Sequence, residues 1–199
     1  MSIIGSSCKG KSVLIKHLVG LLHPDAGGVF IEGENLIGLQ NQEGASITIE
    51  PGGQIELSDQ PMDHLSQVET SIRNFVRDLK ESIRPIQGRL MFLGAQPLFD
   101  LDAISLSPKK RYRIMYRHMP VVGSLGQWMM KATAGTQLSL DYASLEDLER
   151  KFRVLCRLSP FLTAIFSNSP LHLGKPSGFK SFRSHIWQNT DGTRSGIPG

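Results

Sequence analysis

Cysteine is scarce in this 199-residue sequence, with Cys8 and Cys156 the only two. Two thiols build neither a disulfide framework nor a four-thiolate zinc site. A reducing cytoplasm is therefore the expected location. Long apolar runs are missing too. The most apolar stretch, from Ser12 to Leu22, is interrupted by Lys16 and His17, and falls short of the roughly 18 apolar residues that span a bilayer. No membrane insertion is expected, and no basic leader with an apolar segment marks the chain for secretion. Nor is there much charge of one sign. Lys+Arg at 22 against Asp+Glu at 18 leaves +4, which is too little to announce a nucleic-acid binder. What is present is the balance of a globular protein, 40% hydrophobic and 20% charged, with 20 glycines and 11 prolines for turns. The length suits one large domain or two small ones.

Ile3 and Ile4 read as the end of a strand. A helical pattern follows, with Val13, Leu14, His17, Leu18 and Leu21 on one face, and Pro24 to Gly28 ends it. Val29 to Gly33 reads as a short strand and turn. A second regime begins near Ala45. Ser46–Glu50 and Gln54–Ser58 alternate as two strands around the turn Pro51-Gly52-Gly53. Met62, Leu65, Val68, Ile72, Phe75, Val76, Leu79 and Ile83 form the stripe of a long amphipathic helix, with Pro61 suited to its first turn. Further along, 90–94 reads as a strand, 109–119 and 125–131 as helices, and 136–141 as a strand. Ser144-Leu145-Glu146-Asp147 resembles a capping box that opens a helix bearing Leu148, Phe152 and Leu155. Pro160 is expected to kink or restart that helix. The Gly-, Pro- and Ser-rich tail from Ser169 reads mostly as loop, and no internal repeat is found.

Residues 5–12 fit G-x-x-x-x-G-K-S through Gly5, Gly10, Lys11 and Ser12. In such a loop backbone N–H groups cradle a phosphate, the lysine reaches its outer oxygens and the serine holds magnesium. The helix that follows adds a favourable dipole. The stretch Ile3 to Gly33 resembles the start of an ABC-transporter ATPase. That family's Leu-Ser-Gly-Gly-Gln signature, acidic magnesium strand and switch histidine do not follow. The resemblance thus implies nucleotide binding by this loop without an ATPase cycle.

From Ser46 onward a different resemblance takes over. The blocks 47–58 (ITIEPGGQIELS), 107–130, 136–154 and 167–191 are similar to glutamate–cysteine ligases of the plant and proteobacterial type, in family order and spacing. Glu-Pro-Gly-Gly-Gln and Arg-Ser-His-Ile-Trp are its most specific motifs. The resemblance implies an α+β fold of the glutamine-synthetase kind, a partial antiparallel sheet with outer helices, preceded here by the strand–phosphate loop–helix piece. It implies ATP and Mg2+ as cofactors, with glutamate, cysteine and ATP as small-molecule substrates. It implies no nucleic-acid partner. The product would be γ-glutamylcysteine, in the first step of glutathione biosynthesis.

The residues suit that chemistry. An amide-forming ligase activates a carboxylate as an acyl phosphate, which needs carboxylates to hold magnesium and arginines to clamp anions. Glu50, Gln54 and Glu56 are the candidate metal ligands; Gln54 and Glu56, two apart, share a sheet face. An ordinary solvated sheet face is the alternative for the two glutamates. Lys109, Lys110, Arg111, Arg113 and Arg117 make a basic stretch without an acid, a solvated helix face or a nucleic-acid patch in its plain reading. By resemblance Arg111 grips the glutamate substrate, and Arg183 faces the substrate or the transferred phosphoryl group; a guanidinium matches such anions bidentately. His185 is either catalytic or a structural loop histidine. Gln137 and Asp141 are candidate substrate contacts flanking a strand that carries Ser139 where the family has Asn. Trp187 reads as packing.

Departures from the family pattern accompany these matches. Glu69 stands where plant members carry a regulatory cysteine. Leu98 to Asp102 replaces a segment with Trp and two arginines. The family's acidic metal motif, expected upstream of Glu50, is not found. These features divide the chain into 1–40, like an ABC ATPase start with its Walker A loop, and 46–199, like part of a ligase. The ligase-like part is expected to be incomplete and inactive by itself. A fragment of an ABC-transporter nucleotide-binding subunit is the alternative function, and a non-catalytic basic module binding RNA or protein is a third.

Overall fold

A computed structural model describes residues 45–196, together with the backbone of residues 2–4, 30–31 and 34–35. The phosphate loop, with Gly5, Gly10, Lys11 and Ser12, lies outside the described residues, as does the helix expected after it. The chain forms two compact units, one ending at Phe92 and one starting at Leu93. Their elements mix helices with small antiparallel pairs, as an α+β class requires.

In the first unit, β1 (Ser2–Ile4) pairs with β6 (Arg89–Met91), and β2 (Phe30–Ile31) pairs with β3 (Glu34–Asn35), both antiparallel. The longest pair among the described residues is the hairpin of β4 (Ser46–Ile49) and β5 (Ile55–Ser58). Its register sets Ile47 opposite Leu57 and Ile49 opposite Ile55 on one face, and Thr48 opposite Glu56 on the other. Ile49 and Ile55 are buried. The connection is a three-residue loop. The Gly53 N–H donates to the Glu50 carbonyl, the Glu50 N–H donates to the Gln54 carbonyl, and Gly53 takes φ +83°, which a side chain would resist.

Helix α1 (Leu65–Ile83) follows, and the Gln67 side chain accepts the His64 N–H at 3.0 Å to start it. Phe75, Leu79 and Ile83, four apart, are buried, as the apolar stripe requires. The start differs from expectation. Pro61 lies ahead of the helix rather than in its first turn, because the cap falls at His64. Leu65 and Ile72, at the N-terminal end of the stripe, stay exposed. A 3-10 turn at Arg84–Ile86, with Pro85 inside, closes the helix.

The second unit holds α2 (Lys110–Val122), α3 (Gly126–Ala132), α4 (Leu145–Ile165), the short pair β7 (Leu171–His172) with β8 (Lys175–Pro176), and α5 (Phe182–Gln188). Its core is Ala95, Phe182 and Ile186, with Leu125, Trp128 and Met129 packed around it. Helix α5 corrects the expectation of a mostly loop tail. Ser181 Oγ accepts the Ser184 N–H, and two apolar residues four apart, Phe182 and Ile186, give the short helix a buried side. The strand expected at 136–141 is also corrected, since 134–142 has no regular structure. Leu138 and Leu140 alternate with polar residues, but antiparallel pairing here goes no further than the isolated bridge Ala95–Thr133, and Leu138 is 72% exposed. Without a partner strand the backbone groups turn to water instead.

Helix α4 runs unbroken past Pro160, so that proline does not restart it. It removes only the donor that would meet the Cys156 carbonyl. None of the residues of α4 is buried. Its cap forms as the motif suggests, with a variation. Ser144 Oγ accepts the Asp147 N–H, while the Asp147 carboxylate accepts from Ala143 N–H and pairs with Lys151 and Arg150 at 2.7 and 2.9 Å. Those contacts hold its pKa well below the ordinary carboxylate range, Lys151 contributing most, then Arg150, then the Ala143 N–H. A depressed folded-state pKa stabilises above the unfolded value of about 4 and is lost as the pH falls through the folded value. Acid titration followed by circular dichroism should therefore show helix loss beginning below about pH 4. In Asp147→Asn that pH dependence should shrink; an unchanged profile would refute the role of this cap.

Candidate active site

Arg183 is the most informative of the candidate residues. It sits on α5, directly after the buried Phe182 that anchors the helix, and its backbone N–H donates to Ser169 Oγ at 3.1 Å. The guanidinium lies over the Trp187 ring, 5.4 Å from its centroid, one helical turn away. Its Nε is fully buried and has no hydrogen-bond partner among the described residues. No carboxylate among them pairs with it. Burial pushes its pKa down, yet arginine stays charged in proteins. A part-buried cation with an open donor is an anion-binding group in waiting, because the anion would supply what burial removed.

Around it lie residues that the sequence did not single out. The Gly94 N–H donates to Asn168 Oδ1 at 2.9 Å, tying the segment after Phe92 to the one before α5. The Ala134 N–H donates to the Gly94 carbonyl, which brings Gly135 alongside. Two glycines and an asparagine carry no catalytic signature, so only their placement reveals them. A second orphan, His172 Nδ1, is buried with its ring 4.6 Å from Trp128 and 4.5 Å from Phe182.

His185 lies in helix α5 and not in a loop, contrary to expectation. Its imidazole stacks on Phe179 at 4.3 Å and 18°, and less closely on Phe182. These contacts suit a packing role for the ring. Gln137 and Asp141 lie in the irregular, exposed segment 134–142. The Asp141 carbonyl accepts Lys151 Nζ, so only the backbone of Asp141 is engaged there.

Arg111 is in the first turn of α2, exposed, with Nη2 donating to Tyr112 Oη at 2.8 Å and its guanidinium 4.7 Å from the Tyr112 ring. Tyr112 is buried and so holds the arginine from below. No described contact joins Arg111 to Arg183.

The metal candidates belong to the first unit. Thr48, Glu50, Gln54 and Glu56 share the polar face of the hairpin. Gln54 is buried, and its Oε1 accepts the Gly52 N–H at 2.8 Å, so it also braces the turn. Glu50 and Glu56 meet. Burial raises the pKa of Glu56, and the Glu50 carboxylate, within hydrogen-bonding reach, raises it further. Two carboxylates forced together are an arrangement that a hard divalent cation relieves, and their oxygens are the donors magnesium takes. To this extent the residues fit the ion. Among the described residues no cluster of three His, Cys, Asp or Glu is found, so two protein carboxylates are what this hairpin offers.

Comparison with known proteins identifies the family to which the chain is similar. Residues 23–199 match the family model of glutamate-cysteine ligase family 2. The chain is 44% identical over 167 residues to a protein of Medicago truncatula named glutamate–cysteine ligase, chloroplastic, and equally so to chloroplastic ligase A of Oryza sativa subsp. japonica. It is 42% identical over the same length to the chloroplastic ligase of Arabidopsis thaliana. The alignments cover 84% of this chain and 32 to 34% of those relatives. The chain thus spans about a third of the length of the curated relatives it matches. The family match begins at residue 23, within the segment that resembles an ABC ATPase start. A cytoplasmic location, inferred from two cysteines, is overturned, because these relatives are named chloroplastic. Cysteine usage senses redox potential and does not distinguish one reducing compartment from another. No helix among the described residues is long and apolar enough to cross a membrane.

Proposed function

The chain belongs to glutamate–cysteine ligase family 2, and from that premise we propose that it forms part of an ATP-dependent ligase joining the γ-carboxylate of glutamate to the amine of cysteine. The observation that carries this reading is the unpaired, part-buried guanidinium of Arg183. Making an amide at neutral pH requires an activated carboxylate, in this reading an acyl phosphate. Both partners of that step are anions, and they must be brought together against their repulsion. Arg183 provides a positive group whose partial burial makes its charge count for more than in open water. Arg111, held by Tyr112, provides a second guanidinium for the glutamate carboxylate. Gln137 and Asp141 are offered as polar contacts to substrate from the exposed segment, and His185 as a group that packs on Phe179 and Phe182. Glu50, Gln54 and Glu56 would hold Mg2+, whose contribution is to neutralise the triphosphate. The hairpin that bears them is read as one wall of a glutamine-synthetase-like sheet. The loop of Gly5, Gly10, Lys11 and Ser12 stays a separate nucleotide-binding candidate.

The direct test is a chimera. The 167 matched residues of the Medicago ligase are replaced by those of this chain, and γ-glutamylcysteine is measured with ATP, Mg2+, glutamate and cysteine. Product formation is the expected result; a folded chimera without turnover would overturn the proposal.

The acidic pair supplies a separate prediction. Because the folded pKa of Glu56 is raised, the native state takes up a proton before the unfolded chain does. Stability of the first unit should rise as the pH falls through that folded value, and be lower above it. Glu56→Gln should remove this pH dependence and weaken Mg2+ binding, read by calorimetric titration of the purified chain. If Mg2+ binds the variant as well as the parent, Glu56 is not a ligand.

A further inference from the structure

We propose that Gly135 is the positioning residue of Arg183, and that its missing side chain decides where the guanidinium lies. The inference rests on the anion-binding role proposed for Arg183. A Cβ built on Gly135 would stand 2.6 Å from Arg183 Nη2, 3.1 Å from Cζ and 3.3 Å from Nε. Its three nearest neighbours are thus all atoms of one guanidinium. The guanidinium therefore lies close to Gly135, where an added Cβ would intrude. Gly94 bounds the stem of the same side chain. A Cβ there would be 3.2 Å from Arg183 Cδ and 3.4 Å from its Cβ. Trp187 lies over the guanidinium. These three residues border the side chain along its stem and at its guanidinium.

The usual reason for a glycine does not apply at 135. The described glycines with a left-handed backbone are Gly53, Gly174, Gly178 and Gly196. Alanine at 135 would meet no backbone penalty of that kind. The position is also exposed, so no core packing is disturbed. What an added methyl meets is the far end of a flexible side chain, which can yield. Yielding costs little stability, but it moves the charged group away from Gly135. Displacement of a positioning group by about 1 Å can cost on the order of 100-fold in rate. The substitution should therefore be nearly silent for folding and strong for function, whereas a merely structural glycine would show the reverse.

Two measurements test this. In the full chain, the Arg183 Nε–Hε resonance is assigned by its loss in Arg183→Lys and is then followed in Gly135→Ala. The expected result is a moved, faster-exchanging signal with thermal unfolding unchanged. In the active chimera, Gly135→Ala should lower kcat/KM by about 10-fold or more, and this loss should vanish in the Arg183→Ala background, since the two residues act as one unit. A loss of the same size in both backgrounds, or an unmoved resonance, would overturn the inference. If Arg183→Ala leaves turnover intact while Gly135→Ala still moves the resonance, the anion-binding role of Arg183 has failed and the packing has not.

Discussion

Arg183→Ala in the active chimera is expected to lower kcat/KM by about 100- to 1,000-fold, or roughly 3–4 kcal/mol of transition-state stabilisation. The magnitude follows from the surroundings of the residue. Its guanidinium is part-buried, has an open donor at Nε and touches no carboxylate among the described residues. A charge in that state interacts with an arriving anion without first breaking a protein ion pair. Arg183→Lys should recover only part of the loss, because an ammonium is a point charge and cannot offer a planar pair of donors. The exposed ion pair Arg73–Glu69 on α1 is the natural control. Surface pairs of that kind contribute about 0–1 kcal/mol, and Arg73→Ala should leave kinetics unchanged. If instead the basic stretch at 109–117 were the functional element, as an RNA-binding reading requires, Lys109, Lys110, Arg111, Arg113 and Arg117 would matter about equally. Their effects would then follow salt. Steady-state kinetics of these variants at two ionic strengths separate the two outcomes.

Ile186→Ala should destabilise the second unit by about 2–5 kcal/mol, the range for a fully buried aliphatic side chain cut to a methyl. Ile186 is 0% exposed and packs with Ala95 and Phe182, inside a ring of Leu125, Trp128 and Met129. A domain has a total stability of about 5–15 kcal/mol, so this one change removes a large part of it. It also loosens the short helix that carries Arg183 and His185. Phe161→Ala on α4 is the contrast. Its side chain is 66% exposed, and its loss should cost about 0.5 kcal/mol or less. Urea unfolding monitored by tryptophan fluorescence distinguishes the two; similar midpoints would show that α5 is not the keystone of this unit.

Much of this protein is legible in its sequence. The hairpin at 46–58 follows from alternation around Pro-Gly-Gly, because a period of two and a turn needing a positive φ are local properties. The long helix to Ile83 and the Ser144 cap are local as well, as periodicity and a hydroxyl before an acidic turn set them. Membership of the ligase family was legible in the motif blocks. Other elements depend on what the folded chain brings together. Residues 136–141 alternate as well as the hairpin does, yet they form no strand, because a strand needs a partner that sequence alone does not supply. Pro61 suited a helix start and was passed over for His64, where the Gln67 side chain could close the cap. Helix α5 was hidden by the glycines and prolines before it, and it forms because Phe182 and Ile186 bury together against Ala95.

Among the candidate residues of each unit the division is sharper. The chain alone pointed to Arg183, Glu50 and Glu56, because charge type and motif travel with the sequence. Only the tertiary structure decided that Arg183 has a buried, unpartnered Nε, that Glu50 and Glu56 meet, and that Gly94 and Gly135 border the guanidinium. Those properties depend on which atoms surround a group after the chain has folded. Burial and separation in space set the strength of a charge, and neither is written in residue order.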